Sequence, residues 1–159
     1  MDTLANTAIF AAARSGDIRE LKNAIASGID LNQEDPRGYT PLIIACYNGQ
    51  REAAVLLLEA GADANKQDHG GNTALMGACF KGYVEIVELL ISGGADLNRQ
   101  HGNGGTALMF AAMFGRNNVL QLLLSYGADK QIKDHRGHTA LDLAVQQGNV
   151  EGVEILLNS

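Results

Sequence analysis

Four histidines and two cysteines are the side chains in this 159-residue sequence best suited to holding a metal or attacking a substrate. Zinc draws its ligands to about 2 Å, so only side chains that converge qualify. The chain repeats itself every 33 residues, and His69 and His135 fall at the same place two copies apart. At the ~8–10 Å spacing of packed helices they stand roughly 20 Å from each other and cannot share an ion. His101 with His69, or His135 with His138, come closer, yet no third ligand accompanies either pair. Cys46 and Cys79 lack a metal-ligand spacing. They occupy a position where other copies carry Ala13, Ala112 and Val145, which reads as a small buried thiol. No Ser-His-Asp set appears in a nucleophile-elbow context, and the glycines punctuate copies and do not cradle phosphate. The sequence therefore names no catalytic residue, no metal ligand and no cofactor. A small metal-dependent hydrolase built on the loop histidines is the remote alternative, which metal analysis of the purified chain decides.

What positions these residues is an interval. Thr7, Thr40, Thr73, Thr106 and Thr139 are 33 apart, as are Gly16, Gly49, Gly82, Gly115 and Gly148, and Asp30, Asp63, Asp96 and Asp129. Self-similarity at such a period is the signature of a stacked array. In each copy the Thr is placed to cap a helix by accepting from first-turn amides, and Pro41 follows Thr40 where a missing N–H costs nothing. A large aliphatic stands two residues after the Thr (Ile9, Leu42, Leu75, Leu108, Leu141). Ala stands five after it (Ala12, Ala45, Ala78, Ala111, Ala144), and the two lie near one helical face. The ladder glycine ends this helix in a left-handed cap. A second, more apolar helix follows. Its columns Leu21, Ala54, Val87, Leu120, Val153 and Ala24, Leu57, Leu90, Leu123, Leu156 face inward, while Glu52, Glu85 and Glu151 face water. Asp35-Pro36-Arg37-Gly38 and Asp134-His135-Arg136-Gly137 are turn chemistry between copies.

Thr40-Pro41-Leu42, Ala45, Gly49, the Leu56-Leu57-Leu58 run and Gly61-Ala62-Asp63-Ala64-Asn65 resemble the ankyrin repeat, over about Thr3 to Ser159. The resemblance implies an all-α solenoid of antiparallel helix pairs joined by projecting hairpin-like loops. The expected organisation is a single domain, 1–159, with copies at about 2–34, 35–67, 68–100, 101–133 and 134–159. The first and last copies are incomplete and act as caps, as terminal repeats require. Asp142, Gln146, Gln147 and Asn149 give the last copy a polar face that suits this role. The family often has His three residues after the Thr. Here that place holds Phe10, Ile43, Met76, Met109 and Asp142, so apolar packing is expected to replace the lost polar bridge.

Composition narrows the partners. The apolar share is 46%, mean hydropathy is −0.05, and no apolar run reaches the ~18 residues of a spanning helix. The net charge of −6 divides by copy as −2, −1, −2, +2 and −3. No extended basic surface results of the kind that counterion release on nucleic acid rewards. The opening Met1-Asp2-Thr3-Leu4-Ala5-Asn6 carries an acid where an export signal carries bases. With two cysteines read as reduced thiols, a cytoplasmic monomer that binds neither nucleic acid nor membrane is expected.

In ankyrin proteins the loop tips and the exposed side of the first helix line a concave, partner-binding face. Carried over by position, the residues seven after each Thr are Arg14, Tyr47, Phe80, Met113 and Gln146, so three consecutive copies present Tyr, Phe and Met. Phe114 and Lys81 occupy the next position, and Tyr39, Asn72 and His138 the one just before the Thr. Tyr39, Tyr47, Phe80 and Phe114 are half of the eight aromatic residues, gathered on one expected face. Such side chains concentrate at interface hot spots. Arg37, Lys81 and Arg136 form a partly basic rim. Tyr83 and Tyr126 fall on second helices and receive no role. The expected function is non-catalytic binding of another protein, the alternative being an inhibitor or immunity-type regulator of an enzyme or toxin.

Overall fold

A computed structural model describes residues 3–159; Met1 and Asp2, which open the segment read above for an export signal, lie outside the described residues. Among the described residues the chain forms ten helices and no strand. They pair as α1 (Thr3–Ser15) with α2 (Ile18–Ala26), α3 (Pro41–Tyr47) with α4 (Arg51–Glu59), and α5 (Ala74–Lys81) with α6 (Val84–Ser92). The last pairs are α7 (Ala107–Met113) with α8 (Asn117–Ser125) and α9 (Ala140–Gln146) with α10 (Val150–Leu157). The fold is an all-helical repeat solenoid.

The threonines start the first helix of four copies. Thr40, Thr73, Thr106 and Thr139 hydroxyls accept from the amides of Ile43, Met76, Met109 and Asp142 at 3.2, 3.3, 3.4 and 3.3 Å. Each bond satisfies a donor that the helix itself leaves unpaired. Thr7 corrects the pattern. It lies inside α1, its hydroxyl donating to the Leu4 carbonyl at 3.0 Å. No Asp-x-x-Gly turn precedes Thr7, so nothing stops the helix from extending upstream to Thr3.

Apolar packing alone does not replace the missing histidine bridge. In the last copy Asp142 takes it over, its carboxylate accepting from the Thr139 amide at 2.9 Å and hydroxyl at 3.1 Å. In the third, the thioether of Met76 lies 3.5 Å from the Thr73 amide, a weak acceptor in a buried site. The five ladder glycines have φ between +68° and +78°, the left-handed geometry that ends a helix without a Cβ penalty.

First helices pack on first helices along the stack and second on second, the first row more closely. The alanines explain the difference. Ala12, Ala45, Ala78, Ala111 and Ala144 are at most 3% exposed, and their small side chains let neighbouring backbones approach. The stack therefore bows toward its first helices. Both second-helix columns are buried as the periodicity predicts, apart from half-buried Val153 in the last copy. Cys46 and Cys79 are free and fully buried; desolvation pushes the Cys46 thiol up to about 12 and raises Cys79 further.

Hydrogen bonds repeat between copies. Asn32, Asn65 and Asn98 side chains accept from the amides of Asp63, Asp96 and Asp129 at 2.7–2.8 Å. The loops close on themselves through bonds from Asp35, Asp68, His101 and Asp134 amides to the carbonyls four residues on. Neighbouring tips then join, His69 to Arg37, Gly102 to Gly70 and His135 to Asn103, each amide donating to a carbonyl at 2.9–3.2 Å. In three copies the residue after the ladder glycine reaches back one copy. Gln50 donates to the Arg14 carbonyl, Arg116 to Phe80 and Asn149 to Ala112, at 2.9–3.1 Å. Tyr83 holds the same register and lies against Gly49, a structural place that periodicity alone did not assign.

Candidate functional site

The aromatic side chains of the hollow face touch in sequence. Tyr47 and Phe80 stack at 6.3 Å with rings 7° from parallel, and Phe80 meets Phe114 edge-on at 4.7 Å. Phe114 stacks on Phe110 at 6.5 Å, and Phe110 lies 5.2 Å from the imidazole of His101. The chain of rings crosses three copies. Its exposed members are Tyr47, 45% accessible, and Phe114, 43%; Phe80, Phe110, Met113 and Tyr39 are half-buried. Aromatic pairs at these distances contribute about 0.5–1.5 kcal/mol beyond burial, so the rings hold each other in place. The Lys81 ammonium sits 4.7 Å over the Tyr47 ring, a cation–π contact that anchors its charge on this face.

Phe110 was not among the residues expected here. It stands four after Thr106, the register that holds Ile44, Gly77 and Leu143 in neighbouring copies. Those register mates are small or buried, so only a comparison of side-chain size along this column signals it. Phe110 divides the face into two hollows. The first, about 480 Å³, is walled by Tyr39, Tyr47, Phe80 and Phe110, with Arg14 and Arg37 among its polar lining. The second, about 540 Å³, gathers Met113, Phe114, His101, Arg136 and His138. The ten candidate residues thus divide. Tyr39, Tyr47, Phe80, Arg37 and Asn72 line the first hollow, Met113, Phe114, Arg136 and His138 the second, and Lys81 lies over Tyr47.

Polar rim residues differ in how committed they are. The Asn72 side-chain amide lies 3.3 Å from both carboxylate oxygens of Asp68, and the His138 imidazole 3.7 Å from Asp134. Both are turned toward their own loop. Burial pushes the Asp134 carboxyl up, but amides of His138 and Arg136 outweigh it and hold it below its usual range. His101 is pushed down, chiefly by burial and further by His135, against the pull of Asp68 and Asp134. Arg37 and Arg136 are exposed and enter no ion pair among the described residues. Among those residues no three of His, Cys, Asp and Glu come together as a metal would require. No helix there is long and apolar enough to cross a membrane.

The hollow face presents apolar and aromatic surface with arginines in its lining. Comparison with known proteins gives the architecture its context. A family described as ankyrin repeats, three copies, matches residues 9–101 and again 75–159, two overlapping placements that together span nearly the whole sequence. No curated protein matches this chain.

Proposed function

We propose a function on the premise that this chain belongs to the ankyrin repeat family: it holds another protein on its hollow face and carries out no chemistry of its own. Ankyrin repeats are generally protein–protein interaction modules. The observation that carries the reading is the run of rings from Tyr47 through Phe80 and Phe114 to Phe110, open to solvent at Tyr47 and Phe114. Large amphipathic rings bury much area for little entropy. Because neighbouring rings already fix one another, little further ordering is needed on association. Tyr39, Met113, Lys81, Arg37, Asn72, Arg136 and His138 complete the contact set. We place the protein in the cytoplasm as a monomeric single domain, 1–159, whose first and last copies cap the stack.

Replacing two members of the face tests this. In Phe80→Ala/Met113→Ala the helical circular dichroism is expected to persist with a small drop in Tm, while partner capture from the source cell falls by roughly tenfold or more, as hot-spot truncation implies. A double variant that stays folded and captures the same partner undiminished removes the hollow face from the function. One that unfolds assigns both residues to the core.

A further inference from the structure

Gly77 sits in the middle of α5, where glycine costs about 1 kcal/mol relative to alanine. The usual reasons for glycine are absent. Its φ is not in the left-handed region, and an added Cβ would meet only Tyr47, at 3.5 Å, an ordinary contact. Of the four equivalent positions, Ala11 in the first copy is small and exposed, while the other three hold Ile44, 3% exposed, Phe110, half-buried, and Leu143, 8% exposed. The missing side chain leaves the first hollow open between Tyr47 and Phe110. Its volume of about 480 Å³ falls within the ~300–1,000 Å³ range of ligand-holding clefts.

Charge at its mouth selects the occupant. The chain carries a net −6, yet Arg14 and Arg37 line this hollow and neither pairs with an acid among the described residues. Lys81 adds a third cation beside it over Tyr47. The one acid in the lining, Asp68, already accepts from the Gly70 and Asn72 amides at 2.8 Å and faces the Asn72 side chain. Its carboxylate is held toward its own turn, and the two arginines still outnumber it at the hollow. Uncommitted guanidinium groups above an apolar, aromatic-walled floor complement a side chain that is apolar at its tip and flanked by carboxylates.

We propose that the hollow opened by Gly77 is an anchor pocket for an acidic peptide segment of the partner, taking one large apolar side chain while Arg14 and Arg37 meet the flanking acids. The inference rests on the hollow face being the binding surface and specifies which part of it recognises what. The glycine is then retained for function at a cost in helix stability.

The probe is a labelled short peptide with one Leu or Phe flanked by glutamates, titrated against the full chain. Matched peptides carry Ala at the centre or lysines at the flanks. The glutamate-flanked apolar peptide is expected to bind, more weakly as salt rises, and both controls to bind roughly tenfold or more less tightly. Gly77→Leu fills the hollow and should weaken binding by a similar factor while raising Tm, because leucine is the better helix former. A loss of binding therefore cannot be blamed on unfolding. Gly77→Ala, which adds a methyl at ordinary contact distance, should raise Tm and keep binding. Arg14→Ala/Arg37→Ala should weaken binding and flatten its salt dependence. The proposal is overturned if no glutamate-flanked peptide binds, if lysine-flanked peptides bind as well, or if Gly77→Leu binds undiminished. Should Gly77→Leu retain the peptide while folded Phe80→Ala/Met113→Ala loses the cellular partner, the anchor falls and the hollow face stands. If that double variant keeps the partner, both fall.

Discussion

Asp142 accepts two hydrogen bonds from Thr139 while the Thr139 hydroxyl accepts from the Asp142 amide, so each residue caps the other at the start of α9. The Thr139 amide, then its hydroxyl, lower the Asp142 carboxyl below its usual range, and the slight desolvation opposing them is outweighed. A carboxylate whose pKa is depressed by folding stabilises the native state above the unfolded carboxylate value, ~3.9, and loses that contribution as pH falls through the folded value. Asp142→Asn keeps the shape and an acceptor but removes the charge. Its urea midpoint is expected below that of the parent chain at pH 7, with the gap closing as pH is lowered through 4 toward 2. A gap that is constant over that range would show that charge is irrelevant to the cap. Asn149, the other polar residue of the last copy with a defined task, exchanges side-chain bonds with Asn117 and caps α10 through the Gly152 amide. Its half-buried position follows from those bonds.

The elements lean on one another through their turns, and Gly82 is where two effects can be separated. It ends α5 at φ +78°, a conformation that costs an L side chain about 1–2 kcal/mol. A Cβ there would also lie 2.9 Å from the Arg116 Cδ, displacing the side chain that donates to the Phe80 carbonyl at 3.0 Å. Losing that bond costs a further ~0.5–1.5 kcal/mol. Gly82→Ala is therefore expected to lower stability by about 2 kcal/mol and Arg116→Ala by about 1. Since the crowding disappears once Arg116 is cut back, the double variant should lose less than the sum. Strict additivity in urea unfolding would refute the crowding. The same contrast marks what the residues disclose unaided. Threonine caps, glycine turns, inward leucines and buried cysteines are legible because each occupies an equivalent seat in successive copies, and repetition averages out the ambiguity of any one. Phe110 against Phe114 joins non-equivalent seats and the hollow beside Gly77 is defined by a missing side chain, and an interval of 33 carries no information about either. Thr7 misled because it keeps its place in the ladder while lacking the turn that makes its homologues caps.

At the scale of the whole molecule, each copy buries its apolar surface between its own two helices and against its neighbours, so stability is close to a sum over copies and the interfaces between them. The interfaces use the same residues in the same roles. Gln67 donates to the carbonyls of Gly71 and Gln100, as Gln100 does to those of Gly104 and Lys133. Asn65 receives the Asp96 amide as Asn98 receives that of Asp129. Excision of residues 68–100 would join Gln67 to His101 and put Gln67 and Asn65 into the seats of Gln100 and Asn98, with Ala45 facing Ala111. The shortened chain is expected to fold, with native-like helicity per residue, a lower Tm and a urea m-value reduced by roughly one fifth. It should also have lost the anchor hollow, because Gly77 and Phe80 leave with the excised copy, so the glutamate-flanked peptide no longer binds. Folding without binding would separate the array, which any compatible copy can extend, from recognition, which belongs to particular side chains of the middle copies. A shortened chain that fails to fold would mean that the copies are not interchangeable at their interfaces, and that stability in this molecule is not a sum over neighbours.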